Sequence, residues 1–277
     1  MNEKSKATKV EVLVATMNQN DFSLVKDMNI RTNAIIANQA DCNNYKRQIM
    51  DNHVISMYVT DTKGVGINRN IGLLFAQGEY LLFSDDDMIY YDDYEEKVEE
   101  AFQELPDADV IIFSMEMKSG DRQIDAYINK TKKLNIFNIF KYGACTIAIR
   151  RSIVKQYNLH FTELFGGGCL YGSGEDSLFL MDCLKCNLKI YSHKNIIGVN
   201  TCKESTWFNG FNEKYFYDKG AWLCNVPLFY RVAMKYYFVF RFRNKTPLNW
   251  KKRLSLINNG IKGYKTMTTY EIWKKQK

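Results

Sequence analysis

Apolar runs of strand length alternate with amphipathic segments between residue 10 and about residue 205. The runs are rich in Val, Ile, Leu and Phe, which is typical of buried strands, and they predict strands at 10–16, 33–37, 54–59, 80–83, 109–113, 145–149, 188–191 and 196–199. Apolar residues at helical spacing predict helices at 22–28, 66–76, 92–105 and 175–186. This alternation predicts an α/β fold built from βαβ units, with a mostly parallel sheet flanked by helices.

The last part of the chain has a helical, basic and aromatic pattern. Residues 227–243 are almost wholly apolar and aromatic, and only four basic residues interrupt them. Thr246 and Pro247 predict the start of another helix, in which Trp250, Leu254, Ile257 and Ile261 form one stripe and Lys251, Lys252, Arg253 and Lys262 lie off it. No uncharged apolar stretch reaches the roughly 18 residues of a membrane-spanning helix. We therefore expect these helices either to lie in a membrane interface or to pack as a lid on the rest of the chain.

The net charge of +7 is divided unevenly along the chain. Residues 1–202 hold 22 Lys and Arg against 27 Asp and Glu, whereas residues 203–277 hold 16 against 4. A basic, aromatic tail favours an anionic partner. Because no stacking platform or groove-reading helix is recognisable, a membrane surface is favoured over nucleic acid.

The cysteine pattern favours a reducing, cytoplasmic setting. Seven cysteines are scattered without the spacing of a disulfide framework. Cys183 and Cys186 form a C-x-x-C inside a helical pattern, and no second pair completes a zinc site, so we read them as core thiols.

Two acidic clusters carry the candidate chemistry. Asp85, Asp86 and Asp87 directly follow the apolar run 80–83, and Glu175 and Asp176 open a predicted helix. Three carboxylates at the end of a buried strand repel one another and lose hydration, which favours a bound hard cation such as Mg²⁺ or Mn²⁺. A solvated acidic turn is the structural alternative for the first cluster. For the second, residues 173–176 also read as a capping box, which is compatible with a catalytic role.

The order of these motifs resembles that of a known family. A strand ends at Thr16, Gly-x-Asn-Arg-Asn-x-Gly spans 66–72, Gly-Glu-Tyr-Leu-Leu-Phe-Ser-Asp-Asp-Asp spans 78–87, and Gly-Glu-Asp spans 174–176. Over about residues 10–205 this resembles the family 2 glycosyltransferases of the GT-A fold, in particular bacterial enzymes of capsule and surface-polysaccharide synthesis. The resemblance implies a Rossmann-like sheet and a metal-dependent transfer that inverts the anomeric configuration.

The resemblance also implies roles for individual residues. Asp176 matches the general base, with Glu175 beside it, and Asp85 and Asp87 match the outer positions of a D-x-D motif that holds Mn²⁺ or Mg²⁺. Asp86 matches the variable position and is grouped with the donor-binding residues, which are Thr16, Asn18, Asn38, Gln39, Asp41, Arg69, Asp85 and Asp86. Two features depart from the family: Asn38 and Gln39, whose amides can still bond a nucleobase, replace the acidic residue that reads the uracil edge at the end of strand two, and no late metal-binding His is evident. His193 is read as a loop residue, and residues 204–207 lie nearer the expected position.

Together these features predict a division into a polar tail (1–9), a GT-A domain (10–205) and a membrane-associating helical region (206–277). The expected function is transfer of a sugar from a nucleotide-sugar donor to a hydroxyl of a lipid-linked or oligosaccharide acceptor, at the inner face of the cell membrane. The alternatives are a nucleotidyltransferase that makes a sugar nucleotide and a catalytically inactive, membrane-attached binding protein.

Overall fold

The strands of the protein form one mixed sheet. A computed structural model describes residues 9–119, 122–124, 128–201 and 208–276, and within them eleven strands join in a single sheet. In chain order they are β1 (Val10–Met17), β2 (Asn33–Gln39), β3 (Asn44–Met50), β4 (His53–Thr60), β5 (Tyr80–Asp85), β6 (Met88–Tyr90), β7 (Val110–Ser119), β8 (Arg122–Ile124), β9 (Lys132–Lys133), β10 (Ile147–Arg150) and β11 (Ile190–Asn200).

The spatial order of the sheet is β3-β4-β2-β1-β5-β10-β7-β11-β6, with β8 pairing to β7 and β9 to β11. β4, β2, β1 and β5 run parallel to one another, as do β7 and β11. β10 is antiparallel to both β5 and β7, and β3 closes one edge antiparallel to β4. The predicted Rossmann-like α/β architecture, with helices on a mostly parallel sheet, is confirmed.

Nine helices accompany the strands in the described part of the chain. They are α1 (Ser23–Asp27), α2 (Val65–Phe75), α3 (Tyr94–Glu104), α4 (Arg151–Tyr157), α5 (Glu175–Lys185), α6 (Glu213–Leu223), α7 (Leu228–Arg241), α8 (Trp250–Lys265) and α9 (Tyr270–Lys275).

The side chains of successive residues in the central strands pack into two different hydrophobic cores. On β5, Leu82 joins one core, whereas Leu81 and Phe83 join the other. α3 covers the first core with its buried face, and α5 covers the second with residues such as Phe179. Burial on both faces explains why β1 and β5 read as nearly continuous apolar runs.

The C-terminal helices α6 to α9 form a further layer with its own core. Phe216, Tyr217 and Trp222 of α6 are buried there with Ile257 of α8. A Cβ atom added at Gly220 would lie 2.2 Å from the carbonyl oxygen of Ile257. Only glycine lets the backbones of α6 and α8 approach this closely, so the helical prediction is confirmed and these two helices are packed rather than free.

The structure corrects several predicted elements. It adds the edge strand β3, the short strand β6 and helix α4. The two strands predicted at 188–191 and 196–199 are one strand, β11. His193, predicted to lie in a loop, is a buried residue of β11. Helix α8 starts at Trp250 with Asn249 as its N-cap, not at Thr246. Within α8, Arg253 is buried and Trp250 is exposed, contrary to the prediction, whereas Ile257 of the predicted stripe is buried as expected.

Candidate active site

The site lies where the carboxyl ends of β2, β1 and β5 meet. Thr16 is opposite Asn38 in the β1–β2 register, and Ala15 is opposite Asp85 in the β1–β5 register. In an open α/β sheet this edge is where ligands bind. The register therefore brings the predicted donor-binding residues of three strands to one rim.

Three successive residues of α2 tie this rim to the rest of the site. Asn68 Nδ2 donates to the carbonyl oxygen of Thr16 (3.1 Å) at the end of β1. Asn70 exchanges two hydrogen bonds with the backbone of Phe161, at 2.9 and 2.7 Å. Between them, Arg69 is 4% exposed and points at the acidic residues. Gly66 lets α2 approach the backbone at Thr162, because a Cβ at Gly66 would lie 2.3 Å from the carbonyl oxygen of Thr162.

Arg69 joins the two acidic clusters. Its Nη2 donates to Asp85 Oδ1 at 2.9 Å, and its Nη1 donates to Asp176 Oδ1 at 2.7 Å and to Glu175 Oε1 at 3.1 Å. The guanidinium lies over the ring of Phe161, with 5.2 Å from Cζ to the ring centroid, and Phe161 stacks on Phe179. This apolar floor strengthens the ion pairs by excluding water.

Three carboxylates around one guanidinium leave the cluster with excess negative charge. Burial, together with the nearby charges of Glu175 and Asp85, raises the pKa of Asp176 to about 7 even though Arg69 opposes the shift. The side chain of Asp176 remains 26% exposed. A partly accessible carboxylate with a pKa near neutrality has the properties of a general base.

The loop before α5 shapes the start of this helix without a side-chain cap. Gly174 is the N-cap, with φ of 123°, and its N–H donates to Glu175 Oε2 at 3.0 Å. The predicted capping box is therefore wrong, because Ser173 does not cap α5 and instead accepts a hydrogen bond from Lys219 Nζ at 3.0 Å. The hydrogen bonds from Arg69 therefore hold Glu175 and Asp176 in place at the start of this helix.

The three aspartates after β5 have different partners. Asp85 faces Arg69, Asp86 accepts a hydrogen bond from Thr16 Oγ1 at 2.6 Å, and Asp87 accepts one from Asn200 Nδ2 at 2.9 Å. Burial first, and then the charges of Asp85 and Asp86, raise the pKa of Asp87 to about 6. The carboxylates share one turn, but their hydrogen bonds point to three elements of the fold.

The other predicted donor-binding residues divide into two groups. Asn18 and Asp41 are exposed at the rim. Asn38 is fully buried, and both ends of its amide bond the backbone of Gln19, so the edge that the sequence offered to a nucleobase is occupied. Gln39 accepts a hydrogen bond from the N–H of Gly64 at 3.0 Å, which ties β2 to the start of α2.

The sequence did not single out Asn200 or Trp222. β6 pairs with β11 and places Asn200 beside Asp87, and the backbone N–H of Thr201 donates to the carbonyl oxygen of Asp87 at 2.9 Å. The ring of Trp222 lies against Gly174, and its Nε1 donates to Ser177 Oγ at 3.1 Å. The only sequence signal for Asn200 is its place as a polar residue directly after an apolar run.

Oxygen donors dominate the site. Over the part of the chain that the structure describes, no three His, Cys, Asp or Glu side chains converge as a metal-binding group, and His193 contacts Glu104 instead, at 3.2 Å. The predicted ligand positions 204–207 lie outside the described residues. The crowded charges that raise the pKa of Asp87 still fit a hard cation, which often takes only one or two carboxylates and completes its shell with substrate phosphates.

Comparison with known sequences identifies one family match, which covers part of the chain. Residues 23–157 match the sequence model of the family described as Glycosyl transferase family 2. A search of curated protein sequences found no significant match. The matched segment contains α2 and the acidic strand end, and it stops before Asp176.

Comparison with solved structures shows the fold. The protein is similar to S. aureus TarS 1–349 in complex with UDP-GlcNAc, at 16% identity and a TM-score of 0.64, over 95% of this chain and 93% of that one. It is also similar to TarS 1–349 in complex with UDP, at 16% identity and a TM-score of 0.56, over 97% and 78% of the two chains. The fold, the family match and the site together support a glycosyltransferase.

Proposed function

We propose that the protein is an inverting glycosyltransferase that moves a sugar from a nucleotide-sugar donor to an acceptor hydroxyl. The observation that carries this proposal is Arg69, which binds Asp85 at the donor-side strand end and Asp176 at the start of α5 at the same time. A displacement at a sugar carbon needs a place for the leaving diphosphate and a base for the nucleophile within one site.

Asp176 is the base in this mechanism. Its carboxylate takes the proton of the acceptor hydroxyl as the oxygen attacks the anomeric carbon, and a single displacement of this kind inverts that carbon. Arg69 fixes the carboxylate through the 2.7 Å contact and, together with burial, sets its proton affinity. General base catalysis of this kind contributes about 10²–10⁴ to the rate.

The rim formed by Thr16, Asn18, Gln39 and Asp41 is the proposed nucleotide side of the site. Because TarS was solved with UDP-GlcNAc and with UDP, we propose a UDP-sugar as the donor. The proposed metal position is Asp87 together with Asp85. A Mn²⁺ or Mg²⁺ ion bound there would neutralise the charge that develops on the diphosphate.

The proposed acceptor is a saccharide, lipid-linked or free, of a surface polysaccharide. This rests on the resemblance of the motifs and on the basic, aromatic C-terminal layer that packs against the loop before α5.

The test is a binding and turnover measurement with a panel of UDP-, GDP- and CDP-sugars, with and without Mn²⁺. We expect calorimetry to detect binding of a UDP-sugar that Mn²⁺ strengthens, and slow release of UDP. Asp176→Asn should keep the binding and lose the turnover. Absence of binding to every donor would contradict the proposal, and release of pyrophosphate from a nucleoside triphosphate and a sugar phosphate would indicate a nucleotidyltransferase.

A further inference from the structure

Helix α7 turns an apolar face outward. The large side chains of this face recur at intervals of three and four residues and are between 47% and 73% exposed; they are Leu228, Phe229, Val232, Tyr236, Tyr237 and Phe240. Phe137, which is 73% exposed, lies beside the start of the helix, 5.8 Å from the ring of Tyr230. Exposed apolar patches of this kind mark binding surfaces.

The opposite face of α7 is packed into the protein. Phe238 is buried, and its ring meets Trp222 edge-on at 5.6 Å between centroids. The helix is therefore held firmly in place by one apolar face while the other faces outward. The packing of the chain does not account for the apolar residues on the outward face.

The stretch of chain that contains this patch carries charge of one sign. Residues 219–270 contain eleven Lys and Arg and no Asp or Glu. Arg241, Arg243 and Lys245 are exposed directly after the patch. Apolar and aromatic side chains flanked by basic ones are the pattern of helices that lie in the headgroup region of anionic membranes.

We propose that the outward face of α7, with Phe137 at its border, docks on an anionic lipid surface. The apolar and aromatic side chains of this face enter the interface between headgroups and acyl chains, and the basic residues bind lipid phosphates. In this proposal α7 lies along the surface, because its other side is packed against α6. No helix in the described ranges combines the length and apolar character needed to cross a bilayer.

A second copy of this chain is a less suitable occupant. Pairing two such faces would bring together two copies of the exposed basic residues Arg241, Arg243 and Lys245, with no acidic residue between positions 219 and 270 to offset them. Like charges that face one another across an interface oppose association. An anionic surface satisfies both the apolar stripe and the basic border.

The test is sedimentation with vesicles in the absence of any sugar donor, so that its result is independent of the proposed enzymatic function. The wild-type protein should bind vesicles of phosphatidylcholine with phosphatidylglycerol, bind pure phosphatidylcholine at least tenfold more weakly, and dissociate as salt rises. Equal binding to the two vesicle types, or none to either, would overturn the proposal.

Point variants locate the binding face better than truncation. Removing the residues after α6 would remove α8, which is part of the same hydrophobic core as α6. Phe229→Ser combined with Val232→Ser should weaken binding at least tenfold without changing Tm, since both side chains are exposed. The matched control is Ile49→Ser combined with Leu74→Ser, two exposed apolar residues elsewhere. An unchanged affinity of the α7 variant would refute the assignment.

The basic border has its own pair of variants. Each basic residue near an anionic surface contributes about fivefold to binding, so changing three of them to Gln should cost at least tenfold. The variant is Arg241→Gln, Arg243→Gln and Lys245→Gln, and its control is Lys26→Gln, Lys63→Gln and Lys155→Gln, which are all exposed. If the two triple variants lose the same vesicle affinity, net charge alone determines binding, and the assignment of these three basic residues to the border of the binding face is wrong. A dimer in light scattering that depends on Phe229 and Val232, without vesicle binding, would assign the face to a second copy.

Discussion

Replacing Arg69 by Met should destabilise the protein in a pH-dependent way. The guanidinium is 4% exposed and has three carboxylate partners, so the variant leaves Asp85, Glu175 and Asp176 with no cation between them. Removing one partner of a buried ion pair costs about 3–5 kcal/mol. Because Asp85 is 39% exposed and is screened by water, we expect the lower end of this range, about 3 kcal/mol at pH 8.

The pH dependence follows from the carboxylates that remain. In the wild-type protein the pKa of Asp176 is raised to about 7, so the folded state binds this proton more tightly than the unfolded chain. Its ionisation therefore lowers stability as pH rises from the unfolded value of about 4 towards 7. Without Arg69 the folded-state pKa rises further, so the loss caused by the substitution is largest above pH 7 and shrinks on acidification.

The assay is urea unfolding of both proteins at pH 8 and at pH 5.5. A suitable control is Arg150→Met, because Arg150 donates to backbone carbonyls of Phe102, Pro106 and Ala108 and, among the residues that the structure describes, forms no ion pair with a carboxylate. Its loss should be the same at both pH values. If Arg69→Met shows the same pH-independent loss as the control, Arg69 does not hold the acidic clusters together and the argument for a joined site fails.

Three further predictions concern the site. Asp176→Asn should lower kcat by about 10²–10⁴ while donor binding and Tm are retained, whereas Asp182→Asn, on the exposed side of the same helix, should leave kcat unchanged. The acid limb of kcat/KM for the wild-type enzyme should have an apparent pKa near 7, since activity needs ionised Asp176; a limb near pH 4 would contradict its assignment as the base. Asp87→Asn should abolish the Mn²⁺ dependence of donor binding in calorimetry without lowering Tm, and unchanged Mn²⁺ dependence would remove Asp87 from the proposed metal site.

The central strands could be predicted from the sequence because burial on both faces leaves an unbroken apolar run. β5, with Leu81, Leu82 and Phe83 fully buried, is such a strand. β3 could not be predicted in the same way, because it is an edge strand whose residues are mostly exposed and polar. Edge strands carry charged residues that discourage further pairing, and this removes the pattern that a sequence reading depends on.

The acidic residues of the site could be predicted, but the contact that joins them could not. Arg69 stood out as a candidate from its motif, yet Glu175 and Asp176 lie 106 and 107 residues further along the chain. Nothing local in the sequence indicates that one guanidinium reaches both. The same holds for Asn38, whose type suggested nucleobase recognition and whose amide instead fixes the backbone of Gln19.

The two expectations for the C-terminal region, a membrane helix and a packed lid, are compatible because a helix has two faces. α7 buries Phe238 against Trp222, and the same tryptophan lies on Gly174 at the start of α5. A chain of direct contacts therefore runs from the packed face of α7 to the helix that carries Asp176. If α7 docks on lipid as proposed, the helix that brings the protein to the membrane also supports, through Trp222, the loop that precedes the proposed base Asp176.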